Sequence, residues 1–185
     1  MKKKGKRNKN YFKGFLDIIL RYLILILIAL PGLWLFYTVF TPLTVYPVHF
    51  LLGLFFDAVL LSKIHILVNN IPIELIPACI AGAAYYLLLV FNLSTPKIKL
   101  KKRISAILFS FAVFLIINIL RIFFLSIIAI SGSSSFDITH KLFWYLASTV
   151  FVVGIWFAEV KIFKIREIPF YSDIKFLYKR SLLKK

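Results

Sequence analysis

Long apolar runs separated by dense clusters of lysine and arginine constrain this chain more than any other feature. The runs cover 15–40, 77–93, 104–130 and 142–162. About 20 consecutive apolar residues cross the hydrocarbon of a bilayer. Of the 24 Lys and Arg, eight lie in the N-terminal head and first run, five in the loop "STPKIKLKKR" and eight from Lys161 onward. A soluble domain with 61% hydrophobic residues and a formal charge of +17 would have to expose far more apolar surface than water tolerates. The alternation is that of an integral membrane protein. Strong basicity also marks nucleic-acid binders. Here the cations sit at the ends of apolar segments and form no aromatic-interleaved patch, so nucleic acid is not an expected partner.

Basic flanks face the cytoplasm. Placing all three clusters on that side requires four crossings, with the 97–103 loop and the C-terminal tail inside. A fifth crossing at 45–61 would put "KIKLKKR" outside, so that stretch is expected to be an outer interfacial or re-entrant helix. The first run is too long for a signal peptide and is expected to be an uncleaved span. The tail "REIPFYSDIKFLYKRSLLKK" is expected on the inner membrane surface, among lipids. Alternating apolar residues around Asn69–Asn70 predict a short external β-hairpin. The expected fold is therefore a single all-α membrane domain over 1–185, multi-pass in the plasma membrane, with about four transmembrane helices. There are no internal repeats.

The single cysteine, Cys79, excludes an internal disulfide and a zinc site built from several thiolates. Pro77 suits the first turn of a helix, so Cys79 falls in the first turn of the second span, where the helix dipole favours a thiolate. Arg121, in "FLIINILRIFFLSIIAISG", lies about 25 Å along the third span and so reaches the outer leaflet. An arginine among Leu120, Ile122 and Phe123 needs a partner or a wet cavity. His140 closes the outer loop "SGSSSFDITH". Three helices thus bring a thiol, a guanidinium and an imidazole to one depth. A thiolate attacks a carbonyl best with a base beside it and a cation on the developing oxyanion. His140 supplies the base and later acid, and Arg121 the oxyanion donors. Each residue also has an inert reading: a small core thiol, an interfacial histidine, an arginine snorkelling to headgroups.

At "PACIAGAAYYLLL", "NILRI" and "FDITHKLFWY" the chain resembles the exosortase/archaeosortase family of membrane transpeptidases, from about 48 to 156. "ACIAG" departs from the Ala-Cys-Ser-Gly form common in exosortases and looks closer to small archaeal members. The resemblance implies Cys79 as nucleophile, with Arg121 and His140 completing a catalytic triad. It places Asn118 in the same local motif; the simpler reading of Asn118 is a polar helix–helix contact. No cofactor is expected, and no metal either, because the outward carboxylates and histidines contain no ligand-like i,i+3 or i,i+4 pair. The implied substrates are secreted proteins ending in a short motif, an apolar helix and a basic tail, cut at the outer face and passed to a surface acceptor, lipid-linked or otherwise.

Among the outward polar groups, Asp57, Glu74 and Asp137 are candidates for positioning a substrate or pairing with Arg121. His49 and His65 are read as interfacial, and Ser133–Ser135 as a flexible loop. Two other classes share these residues. One is a non-catalytic assembly or transport component, with Arg121 structural and the thiol inert. The other is a purely hydrolytic intramembrane-type cysteine protease.

Overall fold

The computed structural model describes residues 2–132, 138, 141–142 and 148–178. The chain is mostly helical, with one small sheet. The elements run α1 (Lys2–Ala29), α2 (Trp34–Gly53), β1 (Ala58–Leu60), β2 (His65–Val68), β3 (Ile71–Glu74), α3 (Pro77–Ile80), α4 (Gly82–Leu93), α5 (Leu100–Ile130), α6 (Ser148–Ile162) and α7 (Tyr171–Tyr178). Among the described residues two helices, α2 and α5, are long and apolar enough to cross a membrane.

The apolar run 15–40 is not one helix. It breaks between Ala29 and Trp34, where Gly32 and Leu33 take positive φ values of 63° and 61°. Pro31 at this point cannot continue the α1 hydrogen-bond ladder. The two helices nevertheless follow one another in the same direction. Arg21 of α1 donates to the Leu93 carbonyl, level with Arg103 at the start of α5. Phe36 and Phe40 of α2 then pack on Phe111, and Phe55, just past α2, packs on Phe123. So α1 and α2 run parallel to α5 as one broken rod. The expected separate helix at 45–61 is corrected accordingly. Its first half completes α2, despite Pro42 and Pro47, and Ala58–Leu60 is a strand.

The hairpin at Asn69–Asn70 is present and carries a third strand. Both asparagines have positive φ, 47° and 64°, which is the type I′ geometry that matches strand twist. The antiparallel order is β1-β2-β3, and a two-residue turn fixes His65 opposite Glu74. The apolar run 77–93 is also broken. Ala81 has φ 59°, which separates the single turn α3 from α4. Gly82 follows, and a Cβ there would lie 2.9 Å from the Tyr37 ring of α2, so glycine lets that ring rest against this corner without shifting.

Where α2, α4 and α5 meet, the core is aromatic. Phe40 stacks on Tyr85 with ring centroids 3.6 Å apart, and Phe111 and Phe114 meet Tyr85 edge-on. Helix α6 is fastened to α4 by Asn92 Nδ2, which donates 3.0 Å to Glu159 Oε2, both residues being fully buried.

The end of the bundle opposite the hairpin is a dense polar latch. Arg21 donates to Asp173 Oδ1 of α7 at 2.8 Å and to Asp17 at 3.0 Å. Tyr22 also donates to Asp173. Arg103 caps the end of α4 through the carbonyls of Asn92, Leu93 and Thr95. Lys97 bridges to Glu167 at 2.7 Å. Arg21, Arg103 and Asp173 are buried.

Candidate functional site

Cys79 sits in the four-residue turn between β3 and α4. Its own N–H donates to the Ile76 carbonyl at 2.8 Å, and the turn ends at the left-handed Ala81. The expected help from a long helix N-terminus is therefore corrected. The broken backbone takes Cys79 out of α4, so the α4 dipole does not begin beneath the sulfur. What surrounds the thiol instead comes from α5.

Asn118 and Arg121 are one helical turn apart, hence on one face of α5. Both reach the Cys79 turn. Asn118 Nδ2 donates 2.9 Å to the Cys79 carbonyl, and Arg121 Nη2 donates 3.4 Å to the Ala78 carbonyl. Asn118 is buried, and so is Arg121. These contacts hold the backbone on both sides of the Cys79 Cα while leaving the side chain uncommitted to them. Cys79 is half-buried, with its thiol not in a disulfide.

A cavity of 120 Å³ opens beside this turn. Cys79, Arg121 and Glu74 line it, with apolar walls from Ile76, Ile122 and Leu125. The cavity thus places a guanidinium and a carboxylate on the same walls as the sulfur. A planar guanidinium in this position is suited to a developing oxyanion.

The sequence-derived candidates divide clearly. Cys79, Arg121 and Glu74 meet in one cavity, with Asn118 behind them. Asp57 does not join them. It lies exposed at the start of the sheet, where its backbone carbonyl accepts from the Asn69 N–H and its N–H donates to the Asn69 side chain. His49 Nε2 lies 3.3 Å from the Ala58 carbonyl and ties α2 to β1. His140, Asp137 and Ser133–Ser135 lie outside the described residues. The residue undervalued by sequence reasoning is His65. Its Nδ1 is 2.8 Å from Ser62 Oγ, and its Nε2 is 4.0 Å from Glu74 Oε1. The signal for it was present, because the Asn69–Asn70 turn dictates that His65 and Glu74 pair across the hairpin.

No family model, curated protein or solved structure matches this chain.

Proposed function

We propose that this protein is a multi-pass membrane cysteine transpeptidase of the exosortase/archaeosortase kind, working on the extracytoplasmic side of the plasma membrane. The observation that carries the reading is the shared cavity of Cys79 and Arg121, with Asn118 on the same face of α5 holding the Cys79 turn. An inert thiol has no need of a buried guanidinium beside it, and a buried arginine among apolar helices is costly unless it does something.

Membrane residence is supported by α2 and α5 and by the apolar surface around the bundle. Phe50, Ile116, Phe124 and Phe157 are each more than half exposed. Water would penalise that surface, whereas hydrocarbon does not. In this reading the broken rod α1–α2, then α4, α5 and α6, make four crossings. The basic latch lies inside and the hairpin outside. The turn at Ala81 lies between the buried Ile80 and Gly82, whereas the α1–α2 break is exposed and is compatible with a bilayer because its own turn satisfies N–H groups there: Leu30 donates to the Ile26 carbonyl, Gly32 to Ala29 and Trp34 to Pro31.

The chemistry follows from the side chains. Cys79 attacks the carbonyl carbon at the sorting motif, and Arg121 holds the oxygen as negative charge builds on it. His140 takes the thiol proton and returns it to the leaving amine as the C–N bond breaks. The product is a thioester on Cys79 and a released apolar C-terminal segment. An acceptor nucleophile then attacks the thioester and frees the sulfur.

The test is processing of secreted proteins in cells carrying Cys79→Ala. Uncleaved precursors are expected to accumulate while the variant inserts and folds. Normal cleaved and transferred product from Cys79→Ala overturns the reading and leaves Arg121 as a helix-packing arginine. Cys79→Ser is expected to be nearly as inactive, since a hydroxyl is far less ionised than a thiol.

A further inference from the structure

The transpeptidase reading leaves open what accepts the cleaved chain, and the hairpin bears on this. Glu74 ends β3 five residues before Cys79 and lines the same cavity, yet its side chain remains 55% exposed. It therefore touches both the reaction chamber and the outside. Across the hairpin, His65 faces it at 4.0 Å, and Ser62 Oγ fixes the other ring nitrogen at 2.8 Å. With Ser62 donating to Nδ1, the His65 ring proton sits on Nε2 and points to Glu74. Carboxylate, imidazole and hydroxyl thus run from the cavity wall to the surface, with His65 and Glu74 paired across the β2–β3 hairpin and Ser62 in the loop before β2.

We propose that Glu74, backed by His65 and Ser62, is the acceptor subsite, and that the acceptor is a primary amine arriving as an ammonium ion. This rests on the transpeptidase reading. A carboxylate beside the thioester attracts a cation by Coulomb attraction, which concentrates an ammonium there over water or a neutral alcohol. An ammonium has no lone pair to attack with, so it must first lose a proton. Glu74 holds it by a charge-assisted hydrogen bond and takes its proton, which leaves to solvent from the exposed carboxylate, while the His65 Nε2–H faces and steadies Glu74. The amine nitrogen then bonds to the thioester carbonyl carbon. The C–S bond breaks, and its electron pair stays on Cys79 as thiolate, next to Arg121. The second N–H proton returns to that sulfur. The products are an amide and a free thiol, with one proton released outward.

The experiment uses membranes containing the full chain and its secreted substrates, supplied with two nucleophiles together. Hydroxylamine is uncharged at neutral pH, and ethanolamine is an ammonium. The new C-terminus is read by mass spectrometry as hydroxamate or ethanolamide. In Glu74→Gln the ratio of ethanolamide to hydroxamate is expected to fall by about a hundredfold, the scale of losing a positioned proton acceptor. His65→Asn should lower the ratio in the same direction by less, and Glu74→Asp should restore most of it. An unchanged ratio in Glu74→Gln overturns the acceptor assignment alone. Loss of both products in Glu74→Gln and in Glu74→Asp also overturns it, by placing Glu74 in thioester formation or folding. Absence of Cys79-dependent hydroxamate from the wild-type membranes overturns the transpeptidase reading itself.

Discussion

The two ends of the bundle both bury arginines against the backbone of α3–α4, and they do so to different ends. At the basic end, Arg21 and Arg103 are surrounded by acceptors: Asp17, Asp173 and the carbonyls that finish α4. Apart from the Asp17 contact within α1, each of these closes a gap between elements, and Asp173, buried with the arginines, lies 152 residues from Arg21 in sequence. At the hairpin end, Arg121 also touches a carbonyl, that of Ala78, but it borders a cavity that contains the only thiol in the chain. The same guanidinium chemistry serves as a rivet at one end and as a charge held ready at the other. What distinguishes the two is the neighbour: Arg21 and Arg103 meet carboxylates and helix-end carbonyls, whereas Arg121 shares its cavity with the thiol.

That contrast can be broken at several strengths. The largest effect is expected at the latch. Arg21→Met leaves Asp173 buried without its cation, and removal of one partner of a buried pair costs about 3–5 kcal/mol. Denaturant or thermal unfolding in detergent should show the loss, with α7 becoming protease-sensitive, while thiol labelling of Cys79 in the remaining folded protein is unchanged. If Arg21→Met is neutral in stability, the latch is not a rivet.

Next comes Arg121→Lys, which keeps charge but loses the planar fork. Processing is expected to fall by about a hundred- to a thousandfold, the usual consequence of removing one oxyanion donor. Stability should change much less than in Arg21→Met. Equal processing by the lysine variant would make Arg121 a structural cation like the other two.

Two asparagines sharpen the contrast at intermediate size. Asn118 holds the Cys79 turn, and Asn92 holds Glu159. Leaving a buried acceptor unsatisfied costs about 1–3 kcal/mol. Asn118→Ala should express that cost as slower processing, because the thiol loses its fixed position. Asn92→Ala should express it as lower stability, with processing in the folded fraction intact. A stability loss of similar size in both, with no difference in turnover, would merge the two ends into one structural network.

The smallest effect concerns Lys97 and Glu167, a surface pair at the basic end. The hydrogen bond from Lys97, with a second from Ser172, holds the Glu167 carboxyl below its ordinary range. A depressed carboxylate stabilises the folded state above the ordinary glutamate value, and that contribution is lost as pH falls through the lowered folded value. Exposed pairs contribute about 0.2–1 kcal/mol. The stability of Glu167→Gln should therefore match wild type at acid pH and trail it slightly at neutral pH. The opposite pH dependence would contradict the pairing.

Much of the site was legible in particular residues. Pro77 announced a helical first turn around Cys79, though not the break at Ala81 that separates it from α4, and Asn118 and Arg121, one turn apart, announced polar groups on one face of an otherwise apolar helix. Asn69–Asn70 announced the hairpin, and with it the pairing of His65 and Glu74. Other features were hidden by apolarity itself. The Pro31–Gly32 break lies inside a run whose hydropathy never drops, and Pro42 and Pro47 read as helix breakers although α2 passes through both. Hydropathy reports the solvent a segment prefers, and it is nearly blind to where an apolar rod bends.

The sequence by itself determined the alternation of apolar runs and basic clusters, the mainly helical character, the hairpin turn and the identity of the reactive groups. These depend on interactions spanning a few residues: transfer preference, backbone conformation at Asn and Pro, and side-chain chemistry. Only the tertiary structure decided that Asn118 and Arg121 turn towards the Cys79 loop, that Glu74 shares their cavity, and that Asp173 returns to Arg21. Those outcomes join residues 39 to 152 positions apart. They are fixed by how the helices rotate and pack, because a buried guanidinium or amide settles wherever the fold brings acceptors to meet it.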